Sequence, residues 1–462
     1  MAPGQAGPAI AAAGNLVMAS WTDATGLFIE PSTNPVTSSL TGVGFSRNGG
    51  KSFEDLSGLP NYNENMKWFG DPSVVAVDGG AYFIVSSIYS ANFPIDCFLG
   101  PAELSIAVSV GTVIPNSVVF TNPIIAASGG DYCSFPGVTA FLDKPFMSYD
   151  PHTRTLAIAY TRFPLFGFGT GQIEVVTAHV PTSVAELSSA DFSAPIIVWT
   201  EEPNVENTGA YPTVAYNTKT KAADIYVAWE RNWRSNGFNG DPYVYIHAAE
   251  IIPTTTGYNI IGGPGPSDAV VVTEGQLNSN AYGGVKSLDL VGVPGYSAIP
   301  NDFPRIAWDP KLNEVAIVWN DASHHPLGDI FLRTFHSGLT SPGGIERLNL
   351  DNTGTIHMFP AVCFRSDGYM VTSWYDRRDF VPDSAWTDLF GDIRSSPYAK
   401  GNNFKITTTP TDWDNTASYT IFVNNEEIAN FGDYTDNSCT GTSEFFTWTD
   451  GRLGYTQPFV SP

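Results

Sequence analysis

The chain repeats one pattern along its whole length, and this repetition constrains the fold more than any other feature. Each copy begins at a proline (at Tyr434 in the last) and continues as an alternating apolar run. A turn of Gly, Asn or Asp follows, and then a second alternating run that ends in an aromatic residue. Alternation with a period of two on both sides of a turn predicts a β-hairpin. The copies span residues 7–23, 70–90, 142–163, 210–231, 302–321, 358–380 and 432–452.

Further alternating segments follow several of these hairpins. A unit of roughly 70 residues with three or four strands predicts a propeller blade, because one such sheet cannot bury both faces without neighbours. We therefore predict an all-β, single-domain propeller over residues 1–462, with seven four-stranded blades, or six if one terminal hairpin is not a blade. The last unit is short, so we expect N-terminal residues to add its outer strand. Enlarged insertions are expected at about 232–300 and 381–430.

The charge balance excludes some partners. The 462 residues carry a net charge of −24, and only 15% of them are charged, whereas 42% are hydrophobic. Nucleic-acid binding needs clustered Lys and Arg, so we expect neither nucleic-acid binding nor an anionic membrane partner. No stretch is long and apolar enough to insert into a membrane. The many carboxylates either keep the protein soluble or bind calcium. We therefore expect no required cofactor, with bound calcium as the alternative.

The four cysteines favour an extracellular location. Cys97 and Cys133 lie in loop-like sequence of one repeat and are a candidate disulfide. Cys363 and Cys439 occupy related positions in adjacent repeats, and either pair or are buried thiols. The segment "MAPGQAGPAIAAAG" lacks the charged and apolar regions of a signal peptide. If the chain is secreted, as the cysteines suggest, its signal has been removed.

The segment Ser46-Arg-Asn-Gly-Gly-Lys-Ser-Phe53 resembles the Asp-box, Ser-x-Asp-x-Gly-x-Thr-Trp. Together with the seven repeats and endings such as "WYDRR" and "WTDGR", it indicates similarity to the superfamily of sialidase-like (BNR-repeat) propellers. The resemblance implies a propeller fold with a turn between outer strands at residues 46–53. Propellers of this kind host hydrolases, lyases, lectins and binding modules.

Propeller geometry brings the candidate site residues to one face. The first strand of each blade lines the channel and the second returns, so starts of first strands and ends of second strands meet there. In sialidase-like proteins this face holds the active site. Starts of first strands supply Asp71, Asp143, Lys144, Tyr211, Asp302, His357, Asp433 and Tyr434, and Arg305 follows Pro304. Ends of second strands supply Asp23, Arg162, Glu230, Asp321, Asp376, Arg377, Arg378, Asp450 and Arg452.

These residue types suit glycoside hydrolysis, which needs two carboxyl groups beside the scissile bond. We predict a secreted glycoside hydrolase that acts on an extracellular polysaccharide, with Asp302, Asp376 and Asp71 as catalytic residues. Arginine can grip an acidic group on a substrate. The predicted substrate-binding residues are Arg377, Arg378, Arg305, Arg452, Tyr434, Asp143, Tyr211, His357 and Glu230. Trp68, Trp233 and Trp386 are expected to stack on sugars.

Each of these assignments has a structural alternative. The aspartate after each repeated tryptophan is expected to cap backbone N–H groups in a turn, because it recurs in blades that cannot all be catalytic. Arg378 and Arg452 are equally suited to ion pairs. His324 and His325 form either a metal site or a surface loop, and the sequence assigns no metal ligands.

The sialidase arginine clamp has no match here. Sialidases place an arginine just before the first strand, where this chain reads "QAGPAIA". Cleavage of sialic acid is therefore not implied by the resemblance. The alternative function is a non-catalytic carbohydrate-binding, lectin-like or structural surface propeller, and the sequence does not indicate an oligomeric state.

Overall fold

Seven antiparallel sheets surround a central channel, and the two strands of each repeat hairpin lie at the channel end of their sheet. The computed structural model describes residues 4–25, 39–62, 66–91, 103–130, 133, 140–164, 171–200, 202, 205–235, 239–264, 268–274, 276–277, 283–288, 291–296, 300–418, 422–423, 426–427 and 430–462. The predicted all-β propeller is confirmed, with seven blades rather than six. No helix in these ranges is long and apolar enough to cross a membrane.

The first three blades hold residues 5–199. Blade one consists of β1 (Gln5–Ala13), β2 (Leu16–Asp23), β3 (Thr41–Ser46) and β4 (Glu54–Gly58). Blade two consists of β5 (Met66–Trp68), β6 (Ser73–Val77), β7 (Tyr82–Ala91), β8 (Glu103–Ile114), β9 (Ser117–Phe120) and β10 (Ile124–Ala127). Blade three consists of β11 (Ala140–Asp150), β12 (Thr155–Pro164), β13 (Gln172–His179) and β14 (Ile196–Trp199).

The remaining blades hold residues 205–461. Blade four consists of β15 (Val205–Asn217), β16 (Ala222–Ser235), β17 (Asn239–Thr254), β18 (Gly257–Ile261), β19 (Val270–Val271), β20 (Gln276–Leu277) and β21 (Gly283–Lys286). Blade five consists of β22 (Arg305–Asp309), β23 (Glu314–Asp321), β24 (Asp329–His336) and β25 (Glu346–Arg347). Blade six consists of β26 (His357–Phe364), β27 (Met370–Asp376), β28 (Trp386–Arg394), β29 (Asn403–Lys405) and β30 (Thr411–Asp412).

A separate hairpin pairs β31 (Phe422–Val423) with β32 (Glu426–Glu427), and blade seven consists of β33 (Asp436–Thr440), β34 (Ser443–Asp450) and β35 (Gln457–Ser461). Short 3₁₀ helices lie at 78–80, 184–186, 189–191 and 413–415.

The N-terminal segment does not complete the last blade, so that expectation is wrong. β1 pairs with β2 as the inner strand of blade one, with Gln5 opposite Asp23. The ring instead closes through side chains of β33, which accept hydrogen bonds from the backbone of β1. Ile10 N–H donates to Asp436 Oδ2 at 3.0 Å, and Ala12 N–H donates to Ser438 Oγ at 3.0 Å. Blade seven has three strands in the part of the chain that the structure describes.

The same kind of hydrogen bond joins neighbouring inner strands elsewhere. Met147 N–H donates to Ser73 Oγ, Val214 N–H to Ser148 Oγ and Trp308 N–H to Thr213 Oγ1, at 3.0 to 3.2 Å. The inner strands therefore satisfy backbone donors across the blade boundaries, where no sheet pairing is available.

The two faces of the propeller differ in the lengths of their connections. One face, here called the turn face, carries the short turns 14–15, 151–154, 310–313 and 365–369. The opposite face, here called the loop face, carries the longer connection 377–385, and β2, β7, β12 and β27 end there. Binding and catalytic residues concentrate on loops held by a rigid scaffold, so the loop face is the candidate functional face.

The turn at residues 46–53 joins β3 to β4, as the sequence predicts, and lies on the turn face. Ser46 Oγ accepts from Gly50 N–H at 3.0 Å, and Asn48 Oδ1 accepts from Ser52 N–H at 3.0 Å. Gly49 and Gly50 have φ values of +69° and +74°, which favour glycine. The segment therefore acts as a structural turn.

Candidate functional site

Inner strands bulge where they reach the loop face. The strand register shifts between Asp143 and Phe146 and between Met358 and Ala361. Within or beside such bulges, residues that precede a proline have positive φ: +50° at Asp71, +53° at Lys144 and +55° at Phe359. A bulge re-aims side chains, and a non-glycine residue at positive φ is strained. Strain of this kind is frequent at functional sites.

Four of the loop-face residues form one group at the channel mouth, here called the acidic cluster: Asp71, Asp143, Lys144 and Asp433. Lys144 Nζ lies 2.9 Å from Asp433 Oδ2, 3.6 Å from Asp71 Oδ2 and 3.8 Å from Asp143 Oδ2. The exposed fractions of the side chains are 37% for Asp433 and 15% for Asp143. Three carboxyl groups from three blades thus meet at one ammonium group.

Burial is the largest influence on Asp143 and raises its pKa to about 7. Lys144 opposes this shift, whereas Asp71 adds to it through its charge and a hydrogen bond, and Asp433 adds through its charge. Burial lowers the pKa of Lys144, but the three carboxylates outweigh it and hold that pKa well above the usual range. Below about pH 7, Asp143 therefore retains a proton beside the charged Lys144.

Aromatic side chains around Arg305 close the channel beneath the acidic cluster. The Arg305 guanidinium lies 4.6 Å from the ring centre of Phe146, 4.7 Å from that of Tyr211 and 5.4 Å from that of Tyr434. Arg305 and Tyr434 are both buried. Beyond them, inner strands of all seven blades line a cavity of ≈ 450 Å³. Arg305, Tyr211 and Tyr434 thus form the floor of the mouth.

The repeated aspartates after tryptophan are bound in the same way in several blades. Asp376 Oδ2 accepts from Trp374 Nε1–H at 2.8 Å, and its Oδ1 accepts from Arg378 N–H at 2.8 Å. Asp450 makes the equivalent bonds with Trp448 and Arg452. The same arrangement is present at Asp23 and Asp321. This agrees with the structural alternative, in which the aspartate caps a turn.

The arginines near blade ends take part in the same packing. Arg378 Nη2 lies 2.6 Å from Asp376 Oδ2, and its guanidinium lies 4.3 Å from the ring centre of Phe390. Arg452 lies equally close to Asp450 and packs on Phe459. Both are ion pairs within a blade. The predicted substrate contacts of these arginines stay predictions that this geometry does not favour.

Arg377 points into the protein. Its guanidinium donates to Thr387 Oγ1 at 2.9 Å, to Ser384 O at 2.8 Å and to Pro294 O at 3.0 Å. Burial lowers its pKa to about 10. Arg377 therefore fastens the 377–385 connection to the insertion of blade four.

Asp302 and Glu230 are buried at the boundary of blades four and five. Asp302 Oδ2 accepts from Ser287 Oγ–H at 2.6 Å, and Asp302 Oδ1 accepts from Asn320 Nδ2–H at 2.9 Å. Glu230 Oε2 accepts from Asp302 N–H at 3.2 Å. These groups hold the connection to blade five. Asn301, next to Asp302, donates from Nδ2 to Asp433 O at 3.0 Å and so links this connection to the acidic cluster.

His357 lies in a third polar group, between blades five and six. Its Nε2 lies 3.1 Å from Asp351 Oδ1 and 3.5 Å from Asp376 Oδ2, and its Nδ1 lies 3.0 Å from Gly328 O. Burial lowers the pKa of His357, but Asp376 and Asp351 outweigh it and raise that pKa above its ordinary value. With acceptors at both nitrogens, the imidazolium form fits this position.

Asp351, His357 and Asp376 have ligand atoms within 4.8 Å of one another, a spacing that a metal ion could bridge. Arg378 Nη2 already lies 3.3 Å from Asp351 Oδ1 and 2.6 Å from Asp376 Oδ2. A guanidinium therefore neutralises these carboxylates, and we assign no metal there. His324 pairs with Asp329 at 2.8 Å, in keeping with the surface-loop alternative.

The predicted sugar-stacking tryptophans differ in exposure. Trp68 is fully buried and packs in the core of blade two, so its prediction is wrong. Trp386 is 44% exposed on the loop face. The Trp233 side chain lies outside the described residues.

Two features of the mouth escaped sequence reasoning. Phe146 was not distinguished from other core aromatics, although it contacts Arg305. The central role of Lys144 was also missed. A residue before proline ordinarily favours extended backbone, so the Asp-Lys-Pro triplet at 143–145 did not indicate the positive φ of Lys144.

Cysteine pairing follows the sequence expectation where it is described. Cys363 and Cys439 form a disulfide between the inner strands of blades six and seven. Cys133 is also disulfide-bonded, and Cys97 lies outside the described residues.

No known protein family and no curated protein sequence matches the chain. In structure it is similar to an alpha-L-arabinanase of Penicillium chrysogenum, with a TM-score of 0.46 and 11% identity over 80% of this chain and 88% of that one. It is also similar to a GH93 alpha-L-arabinofuranosidase of Fusarium graminearum, with a TM-score of 0.46 and 12% identity over 87% of this chain and 91% of that one. A Trypanosoma rangeli sialidase has a TM-score of 0.43 and 10% identity over 85% of this chain and 55% of its own. The likeness is one of propeller fold.

Proposed function

We propose that the chain is a glycoside hydrolase whose reaction centre is the acidic cluster on the loop face. The observation that carries this proposal is the position of Asp143, where burial and neighbouring carboxylates raise its pKa to about 7. A carboxyl group that keeps its proton near neutral pH beside an ionised carboxylate is the arrangement that glycosidic-bond cleavage requires.

In this proposal each residue of the acidic cluster has its own role. Asp143 donates its proton to the oxygen of the departing sugar. Asp433, the most exposed of the three carboxyl groups, faces the positive charge that develops on the sugar ring. A water molecule then adds to the anomeric carbon and returns a proton to Asp143. Asp71 raises the pKa of Asp143, and Lys144 limits the repulsion among the three. This chemistry uses side chains alone, and we assign calcium to none of them.

We further propose a secreted protein that acts on an extracellular polysaccharide. The Cys363–Cys439 disulfide supports this location, because disulfides persist in oxidising compartments. We interpret the turn at residues 46–53 as a degenerate Asp-box on the basis of its hydrogen bonds.

The test is hydrolysis by Asp143→Asn, measured on polysaccharides and on aryl glycosides. Asparagine keeps the shape and a hydrogen-bond donor but cannot protonate the leaving oxygen, so kcat should fall about 10²- to 10⁴-fold. Wild-type activity should also decline as pH rises through about 7, where Asp143 loses its proton.

Asp383→Asn is the matched control, because Asp383 is an exposed aspartate on the loop face outside the acidic cluster. Wild-type rates in Asp143→Asn would refute the assignment. Polysaccharide binding without hydrolysis by the wild type would instead support a lectin-like propeller.

A further inference from the structure

A separate cavity opens on the loop face of blade two. Its volume is ≈ 340 Å³, which is within the range of small-molecule sites. It lies where β7 ends and β8 begins, beside the short strand β5. The lining residues are Tyr62, Met66, Tyr89, Ala91, Glu103, Ser105, Pro123 and Ile125.

Among the described residues, the lining combines an apolar surface with one carboxylate. The Tyr62 ring is 60% exposed, whereas Tyr89 is buried and packs edge-on against Trp68 at 5.3 Å. Glu103 accepts a hydrogen bond from the Ser105 hydroxyl, which fixes its position. An aromatic ring offers a surface for the C–H face of a sugar, and a carboxylate accepts hydrogen bonds from hydroxyl groups.

The cavity and the acidic cluster share one segment of blade two. Trp68, which packs against the cavity wall, is followed three residues later by Asp71. Between them, Phe69 N–H donates to Ile88 O at 2.8 Å and Ile88 N–H donates to Gly70 O at 3.1 Å. These bonds hold the segment on β7, so a ligand in the cavity lies on the blade that presents Asp71.

We propose that this cavity is a subsite for one neutral sugar residue of the substrate, which rests on the proposed hydrolase function. Charge selects the ligand class. Glu103 in the cavity, and carboxyl groups that outnumber the one lysine of the acidic cluster, disfavour uronic or sialic acid units. A neutral pentose or hexose unit meets no such repulsion.

The experiment measures binding of neutral and acidic polysaccharides by affinity electrophoresis and calorimetry, with Tyr62→Ala and Glu103→Gln made in the Asp143→Asn background. We expect each variant to bind the neutral polysaccharide about tenfold more weakly. Tyr62→Phe, which keeps the ring, should bind normally. Tyr258→Ala, which removes an exposed tyrosine on the turn face, should also bind normally.

Binding is measured without turnover, so the experiment tests the subsite independently of the proposed reaction centre. Unchanged binding in both Tyr62→Ala and Glu103→Gln would overturn the subsite, as would equal affinity for acidic polysaccharides. In otherwise wild-type protein, Tyr62→Ala should lower kcat/KM for the polymer, mainly by raising KM. Thermal melting establishes that each variant is folded.

Discussion

At the scale of single residues, the acidic cluster places Asp143 where ionisation is unfavourable. A raised pKa in the folded state means that ionisation costs folding free energy. This contribution is absent at low pH, where folded and unfolded chains are both protonated. It grows as pH rises from the usual aspartate pKa to about 7, the range in which only the unfolded chain has lost the proton. Asp143 therefore lowers the free energy of unfolding at neutral and alkaline pH.

The Asp143→Asn variant should consequently be more stable than the wild type above pH 7. Raising the Asp143 pKa from 3.8 to about 7 lowers the free energy of unfolding by up to about 4 kcal/mol, at about 1.4 kcal/mol per pKa unit. The side-chain amide can still donate a hydrogen bond to Asp71. Urea unfolding from pH 4 to pH 9 checks this prediction. A stability gain that does not shrink towards pH 4 would contradict it.

The sequence predicted Asp71, Asp302 and Asp376 as catalytic and Asp143 as substrate-binding, and could not single out the pair Asp71 and Asp143. All four lie at strand ends on the same face. What separates them is burial by groups distant in sequence. Asp302 is enclosed by Ser287 and Asn320, whereas Lys144 pairs with Asp433, 289 residues away. Such contacts depend on how blades meet, which a local pattern does not specify.

At the scale of elements, the tryptophan–aspartate turn ends the second strand of several blades. The aspartate accepts from the indole with one oxygen and from a backbone N–H with the other. In blades six and seven an arginine adds an ion pair. This turn could be predicted because all its partners lie within two residues. The doubled arginine of "WYDRR" belongs to it through Arg378, and Arg377 braces the adjacent connection.

Asp376→Asn should destabilise the protein by about 3 kcal/mol or more, because it removes the charge that Arg378 and His357 face in a buried site. Asp23→Asn is the matched comparison, since Asp23 occupies the same turn in blade one but is only partly buried and its turn has no arginine. Its cost should be below about 1 kcal/mol. Equal costs in urea unfolding would show that the ion pair contributes nothing.

At the scale of the whole molecule, the ring is held by different bonds at different boundaries. Blades seven and one meet through side-chain-to-backbone hydrogen bonds such as those of Asp436 and Ser438. Blades six and seven are joined covalently by Cys363 and Cys439. The repeats predicted the blade count because each hairpin is local. They did not predict the route of closure, since β1 could pair on either side of the ring junction.

Replacing both Cys363 and Cys439 with alanine should lower the free energy of unfolding by about 4 kcal/mol, because the bridge restricts a long loop in the unfolded chain. The sequence separation of the two cysteines is 76 residues. The bridge lies towards the turn face, away from the acidic cluster, so the proposed hydrolysis should be unaffected at 25 °C. Urea midpoints of oxidised wild type, reduced wild type and the double variant provide the measurement. Equal midpoints would mean that hydrogen bonds and packing alone hold blades six and seven together.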